Sequence, residues 1–176
     1  MRLFIALKTD LDRNKVFSVE KVLMRRYHNV KWVDKDNLHL TLKFLGEVGE
    51  LKSESVKAKL GNIAQRFANF SFIYQGISAF PNKRRAKVIF IAVHSEEKVV
   101  ELMKIVDSDL SVLGFNKEKS YVPHLTLGRA RVPLDISHSD VNFSPLTVNA
   151  NGLSLIKSTL TRYGPIYEVI AQFDFA

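Results

Sequence analysis

The chain has 176 residues, the usual size of one domain and ample for a packed core. A formal net charge of +8 favours an anionic partner without separating RNA from DNA, a nucleotide or a membrane surface, and the absence of cysteine excludes disulfides and thiolate metal sites. No apolar run approaches the roughly 18 residues of a membrane span, and the start, MRLFIALK, is too short for a signal-peptide core, so a soluble cytoplasmic protein is expected.

Taken in order, Arg2 to Lys8 reads as a buried strand, and Asp10 or Asp12 is placed to cap a helix running to about Tyr27. Lys31 to Glu47 returns to strand character. Leu51 to Phe67 carries apolar residues at helical spacing, and Phe70 to Phe80 and Ala86 to Val93 read as strands joined by a turn at Pro81 to Arg85. A third helix is predicted from Glu96 to Leu113, stopped by Gly114 and followed by a strand bearing His124. Three further strands close the chain: Asn142 to Ala150, Leu153 to Leu160 and Pro165 to Phe175. Gly152 and Gly164 are read as their turn glycines. The pattern predicts an α+β fold with mainly antiparallel sheets.

The tetrapeptide His-Leu-Thr-Leu occurs twice, at His39 to Leu42 and at His124 to Leu127. A given tetrapeptide is expected by chance in well under ~1% of chains this long, so two copies ask for a cause. Each lies in an alternating stretch, NLHLTLKFLG and YVPHLTLGRA, where a strand turns histidine and threonine to one face and leucines to the other. Two imidazoles and two hydroxyls would then line a cleft between related halves. Opening a cyclic phosphodiester with water needs a base for the nucleophile, an acid for the leaving alkoxide and donors for the phosphoryl oxygens. Imidazole suits both proton transfers near neutral pH, and a threonine hydroxyl two residues on can donate to phosphate. No HExxH and no acidic cluster points to a catalytic metal, and no GxGxxG or GxxxxGK[ST] points to a glycine-rich phosphate loop.

On these motifs the chain resembles the 2H phosphoesterase superfamily, and within it the RNA 2′,3′-cyclic phosphodiesterases formerly described as 2′-5′ RNA ligases. MRLFIAL, VKWVDKDNLHLTLKFLGEV, YVPHLTLGRA and LIKSTLTRYGPIYEV carry the resemblance over essentially the whole chain. It implies one domain over residues 1–176, made of two lobes with two mainly antiparallel sheets, outer helices and pseudo-twofold symmetry about a V-shaped cationic cleft. It also implies metal-independent hydrolysis of a terminal 2′,3′-cyclic phosphate on RNA to a 2′-phosphate; a monomer without cofactor is expected. His39 would be the proton donor to the 3′ oxygen and His124 the proton acceptor from water, with Thr41 and Thr126 on the phosphate. Sequence alone offers two equivalent histidines, so the acid and base labels are the family's.

Arg129 follows the second motif, and the resemblance makes it a phosphate or nucleotide contact. Strict alternation puts it on the face opposite His124, so reaching the cleft requires a bend near Gly128. Phe44 is a candidate to stack on a base and Trp32 to border the cleft, although such aromatics, like Tyr121, more often belong to a core. Lys83, Arg84 and Arg85 would guide an RNA backbone or form a solvated turn. His28, His94 and His138 lack a threonine two residues on and read as structural or exposed. Alternative readings are 2′,5′ ligation by the same histidines in reverse, hydrolysis of other cyclic or 2′,5′-linked nucleotides, and a non-catalytic module that grips RNA ends.

Overall fold

A computed structural model describes residues 1–176. β1 (Arg2–Thr9) leads to α1 (Arg13–Arg26), whose first turn is capped by the Asp12 side chain accepting from Lys15 N–H. β2 (Val30–Trp32) and β3 (Thr41–Glu47) follow, then α2 (Glu50–Gln65), β4 (Phe70–Phe80), β5 (Ala86–His94), α3 (Glu97–Ser111), β6 (His124–Leu134), β7 (Leu146–Thr161) and β8 (Gly164–Asp174). Every strand pairing is antiparallel. The α+β expectation therefore holds.

The expected two sheets are two four-stranded halves, β8-β7-β1-β3 and β4-β5-β6-β2, of one hydrogen-bonded eight-stranded sheet. The long strand β7 makes the join. Its first residues, Leu146 to Ala150, pair with β4, and its later residues pair with β1 on one edge and β8 on the other. The helices cover the leucine-rich face, and one hydrophobic cluster draws on β1, β3 and β7 as well as β4, β5 and β6. All four motif leucines, Leu40, Leu42, Leu125 and Leu127, lie in it. A small second cluster of Phe4, Ala6 and Ile156, with Tyr167 against it, lies apart from the main core, so β1 is buried along both faces.

Three local expectations change. The segment Lys31 to Glu47 is not one strand, because Lys35–Asn37 forms a 3₁₀ turn between β2 and β3. Asp34, Asp36 and Asn37 there favour turn conformations over an extended ladder. The two strands placed at Asn142–Ala150 and Leu153–Leu160 are one, β7, and Gly152 is no turn glycine: it pairs with Asp174 in mid-strand. A Cβ there would stand 2.4 Å from the Phe173 carbonyl oxygen, so glycine permits the close approach of β8. Gly164, at φ +119, does make the β7–β8 turn.

On α1, Val16, Glu20 and Leu23 share the inward stripe at helical spacing. Glu20 is fully buried and neither carboxylate oxygen has a hydrogen-bond partner. Burial, with the Asp34 charge adding to it, pushes its carboxyl up to about 8. The folded state thus holds a proton that the unfolded chain releases near 4.5, so this group makes stability fall as pH rises from 4.5 to about 8 and level off above that. Glu20→Gln is expected to abolish that part of the slope and to be the more stable protein at pH 8, read from denaturant midpoints across pH. Parallel midpoint-against-pH curves for the two proteins would contradict a buried, protonated Glu20.

Candidate active site

The two motifs meet through one backbone contact. An isolated antiparallel bridge joins Leu40, just before β3, to Leu125 near the start of β6. Extending that register by one residue in each direction sets His39 opposite Thr126 and Thr41 opposite His124. With the leucines turned into the core, both histidines and both threonines line one cavity of about 660 Å³.

Each imidazole is fixed in the same way. Nδ1–H of His39 donates to the Asn37 carbonyl at 2.6 Å, and Nδ1–H of His124 donates to the Val122 carbonyl at 2.8 Å. In both motifs the acceptor is the backbone two residues back. That tautomer leaves Nε2 free for proton transfer. Nε2 of His39 meets the Thr41 hydroxyl at 2.7 Å. Aromatic rings flank both: Phe4 and Tyr167 lie 4.8 and 5.4 Å from His39, and Phe80 and Phe90 lie 5.0 and 5.2 Å from His124. Burial lowers both histidines from their ordinary value of 6.5, partly offset by the bonds to Asn37 and Val122, while nearby Arg129 pushes the same way as burial.

A bulge of the same kind follows each motif. Opposite β1, Thr41 and Lys43 pair with consecutive residues, leaving Leu42 as the extra residue; opposite β5, Thr126 and Gly128 do so, leaving Leu127 extra. Two successive residues then face the core, and the fifth residue after each histidine returns to the cleft. The bend required near Gly128 is this bulge, and Arg129 lines the cavity. Its counterpart in the first half is Phe44, which is 62% exposed and lines the cavity too.

Trp32 combines both of its expected roles, packing against the core while bordering the cavity. Tyr121 lies outside the cavity lining, as do Lys83, Arg84 and Arg85, which form an exposed turn capped by the Asn82 side chain. His28, His94 and His138 are exposed and lie outside the cavity lining. Sequence reasoning did not single out Phe4, Tyr167, Arg2, Lys31 or Asn37, all of which line the cleft. Pairing of β1, β2 and the β7–β8 hairpin around the motifs brings the first four there, and Asn37 comes with the 3₁₀ turn just before His39.

The family model described as LigT like Phosphoesterase matches twice, over residues 15–90 and 91–167, with one histidine motif in each match. The chain belongs to this family. The RNA 2′,3′-cyclic phosphodiesterase of Thermotoga maritima is 35% identical over 99% of this chain and 96% of the relative, and that of Methanocaldococcus jannaschii is 37% identical over 98% and 100%. A crystal structure of a Thermus thermophilus protein superimposes with a TM-score of 0.82 at 27% identity, over 99% of this chain and 98% of that one. Escherichia coli LigT complexed with 3′-AMP shares the fold, with a TM-score of 0.76 at 22% identity, over 99% of this chain and 97% of that one.

Gly128 allows β2 to close against β6: a Cβ there would lie 2.7 Å from Val30 Cγ1 and 2.8 Å from Trp32 Cε3. Gly128→Ala should displace the Trp32 ring from the cleft wall and cost about 1–3 kcal/mol in stability, the usual scale of overpacking. Trp32 is the sole tryptophan, so its fluorescence maximum and quenching report the shift directly. An unchanged spectrum and midpoint would contradict the close packing of β2 on Gly128.

Proposed function

We propose that the chain, acting as one domain of two lobes, hydrolyses the terminal 2′,3′-cyclic phosphate of RNA to a 2′-phosphate without a metal. The observation that carries this reading is the pair of His-x-Thr motifs meeting across the Leu40–Leu125 bridge, each with Nδ1 tied to backbone. Water attacks phosphorus as His124 Nε2 takes its proton; the bond from phosphorus to the 3′ oxygen breaks as His39 Nε2–H protonates that oxygen. Thr41, Thr126 and Arg129 hold the equatorial oxygens, where charge grows in the transition state. Phe44 and Trp32 border the space left for the ribose and base. The relatives named RNA 2′,3′-cyclic phosphodiesterase support the substrate class. An anion held between the rings favours protonation of one of them, the state the scheme requires.

One observation favours the opposite labels: His39 is the more deeply desolvated ring and already meets a hydroxyl at Nε2, as a neutral base would. A substrate with sulfur in place of the 3′ oxygen separates the two, because a thiolate leaves without an acid. His39→Ala and His124→Ala should each lower turnover of the ordinary cyclic phosphate by about 10²- to 10⁴-fold. On the 3′-thio substrate His39→Ala should regain most of its activity and His124→Ala none. Rescue of the His124 variant instead would reverse the labels, and near-normal hydrolysis by either variant of the ordinary substrate would remove the two-histidine mechanism.

The pH profile follows from the same geometry. Because both rings are lowered from 6.5, kcat/KM, which reports the free enzyme, should be bell-shaped with its maximum on the acid side of 6.5. The activity should be indifferent to EDTA. A maximum well above 7, or activity lost to chelation and restored by a divalent ion, would contradict this scheme.

A further inference from the structure

Outside the cleft, the most completely satisfied buried polar cluster lies between the strand of the first motif and the segment leading to the second. The bulge at Leu42 turns Lys43 into the core, where its ammonium donates to Asp107 Oδ1 at 2.5 Å and to the Asn116 carbonyl at 2.7 Å. Glu118 Oε1 lies 3.5 Å from the same nitrogen. The side chains of Lys43 and Asp107 are each only 2% exposed. Asp107 Oδ2 in turn accepts the Tyr121 hydroxyl at 2.6 Å and the Glu118 backbone N–H at 2.9 Å. One carboxylate on α3 thus ties β3 to the segment from Asn116 to Tyr121. The next residue, Val122, supplies the carbonyl that receives His124 Nδ1–H.

A buried ion pair is weak evidence for stability, because a well-packed apolar pair of similar volume serves as well or better. Its value here lies in position: Lys43 is four residues after His39, and Tyr121 three before His124. The other motif has an anchor of different chemistry at the same point, where Asn37 Nδ2 donates to the Pro165 carbonyl at 3.1 Å while its own carbonyl receives His39 Nδ1–H. We infer that Lys43, Asp107 and Tyr121 are positioning residues that fix the Val122 carbonyl, and through it the tautomer and aim of His124, relative to the first motif. The consequence for turnover rests on the reading of His124 as a proton-transfer group; the effect on its tautomer does not.

Tyr121→Phe tests this most gently, since it deletes one oxygen and keeps the ring. A second variant, Lys43→Met with Asp107→Leu, removes both charges together and strands neither. The readouts are thermal midpoint, nitrogen-15 NMR of the histidine rings in the free protein, and kcat and KM against pH. The groups around His124, namely Arg129, His39, Phe80 and Phe90, stay unchanged in both variants. Both proteins should stay folded while His124 loses its single Nδ1–H form. Their kcat should fall roughly 10- to 100-fold with KM little altered, as expected for a misplacement near 1 Å. The limb belonging to His124 should move to lower pH, because the Val122 bond that raises it is weakened. A folded variant with the wild-type tautomer, kcat and limb would overturn the positioning role. A changed tautomer with unchanged kcat would uphold that role and count instead against His124 as a proton-transfer group.

Discussion

The site depends on the Leu40–Leu125 bridge. Because its register is antiparallel, the residues on either side are crossed: the histidine of each motif faces the threonine of the other. Two identical tetrapeptides in a parallel register would place like beside like, so that the two rings would not oppose one another across the cleft. In-line displacement needs that opposition, with the nucleophile arriving on one side as the leaving oxygen departs on the other. The bridge needs only two backbone positions, yet both leucines are core residues, so slipping it by one residue would expose two leucines and bury two polar groups.

The bulge after each motif is the second constraint. Without it, Lys43 would continue the face of His39 and Thr41, adding an ammonium to the cleft, while Arg129 would point away from the cleft. The extra residues Leu42 and Leu127 exchange these positions. The two halves then diverge in what they place there: Lys43 against Gly128 toward the core, and Phe44 against Arg129 toward the cleft. Pseudo-symmetry of backbone thus carries different side chains, an exposed aromatic at the fifth residue after one histidine and a cation at the fifth after the other. Asp107, which burial alone would raise, is held below the usual carboxylate range by its bonds from Lys43, Tyr121 and Glu118 N–H, so the buried lysine keeps a charged partner.

Much of this was legible in the sequence because the motifs are short, repeated and set in period-two patterns that fix which side chains share a face. The helices were visible for a similar reason, from their apolar spacing and from Asp12 as a cap. Other features depend on partners distant in the chain. Gly152 resembles a turn glycine until β8 is laid against it, and the merger of two segments into β7 follows from the strands on both of its edges. Phe4 and Tyr167 enter the site through β1 and β8, whose sequences show burial or exposure but not which ring they will touch. Lys43 is the sharpest case, because alternation alone assigns it to the wrong face.

The central claim is that one phosphoryl group is held by both motifs at once. The most direct measurement is a crystal structure of the protein with a ribonucleoside 2′,3′-vanadate, whose trigonal bipyramid mimics the transition state. Nε2 of His39 and of His124 should lie at the two apical oxygens, with Thr41 and Thr126 hydroxyls and Arg129 on the equatorial ones. A vanadate bound by one motif alone, with the other histidine out of hydrogen-bond range of every vanadate oxygen, would contradict it.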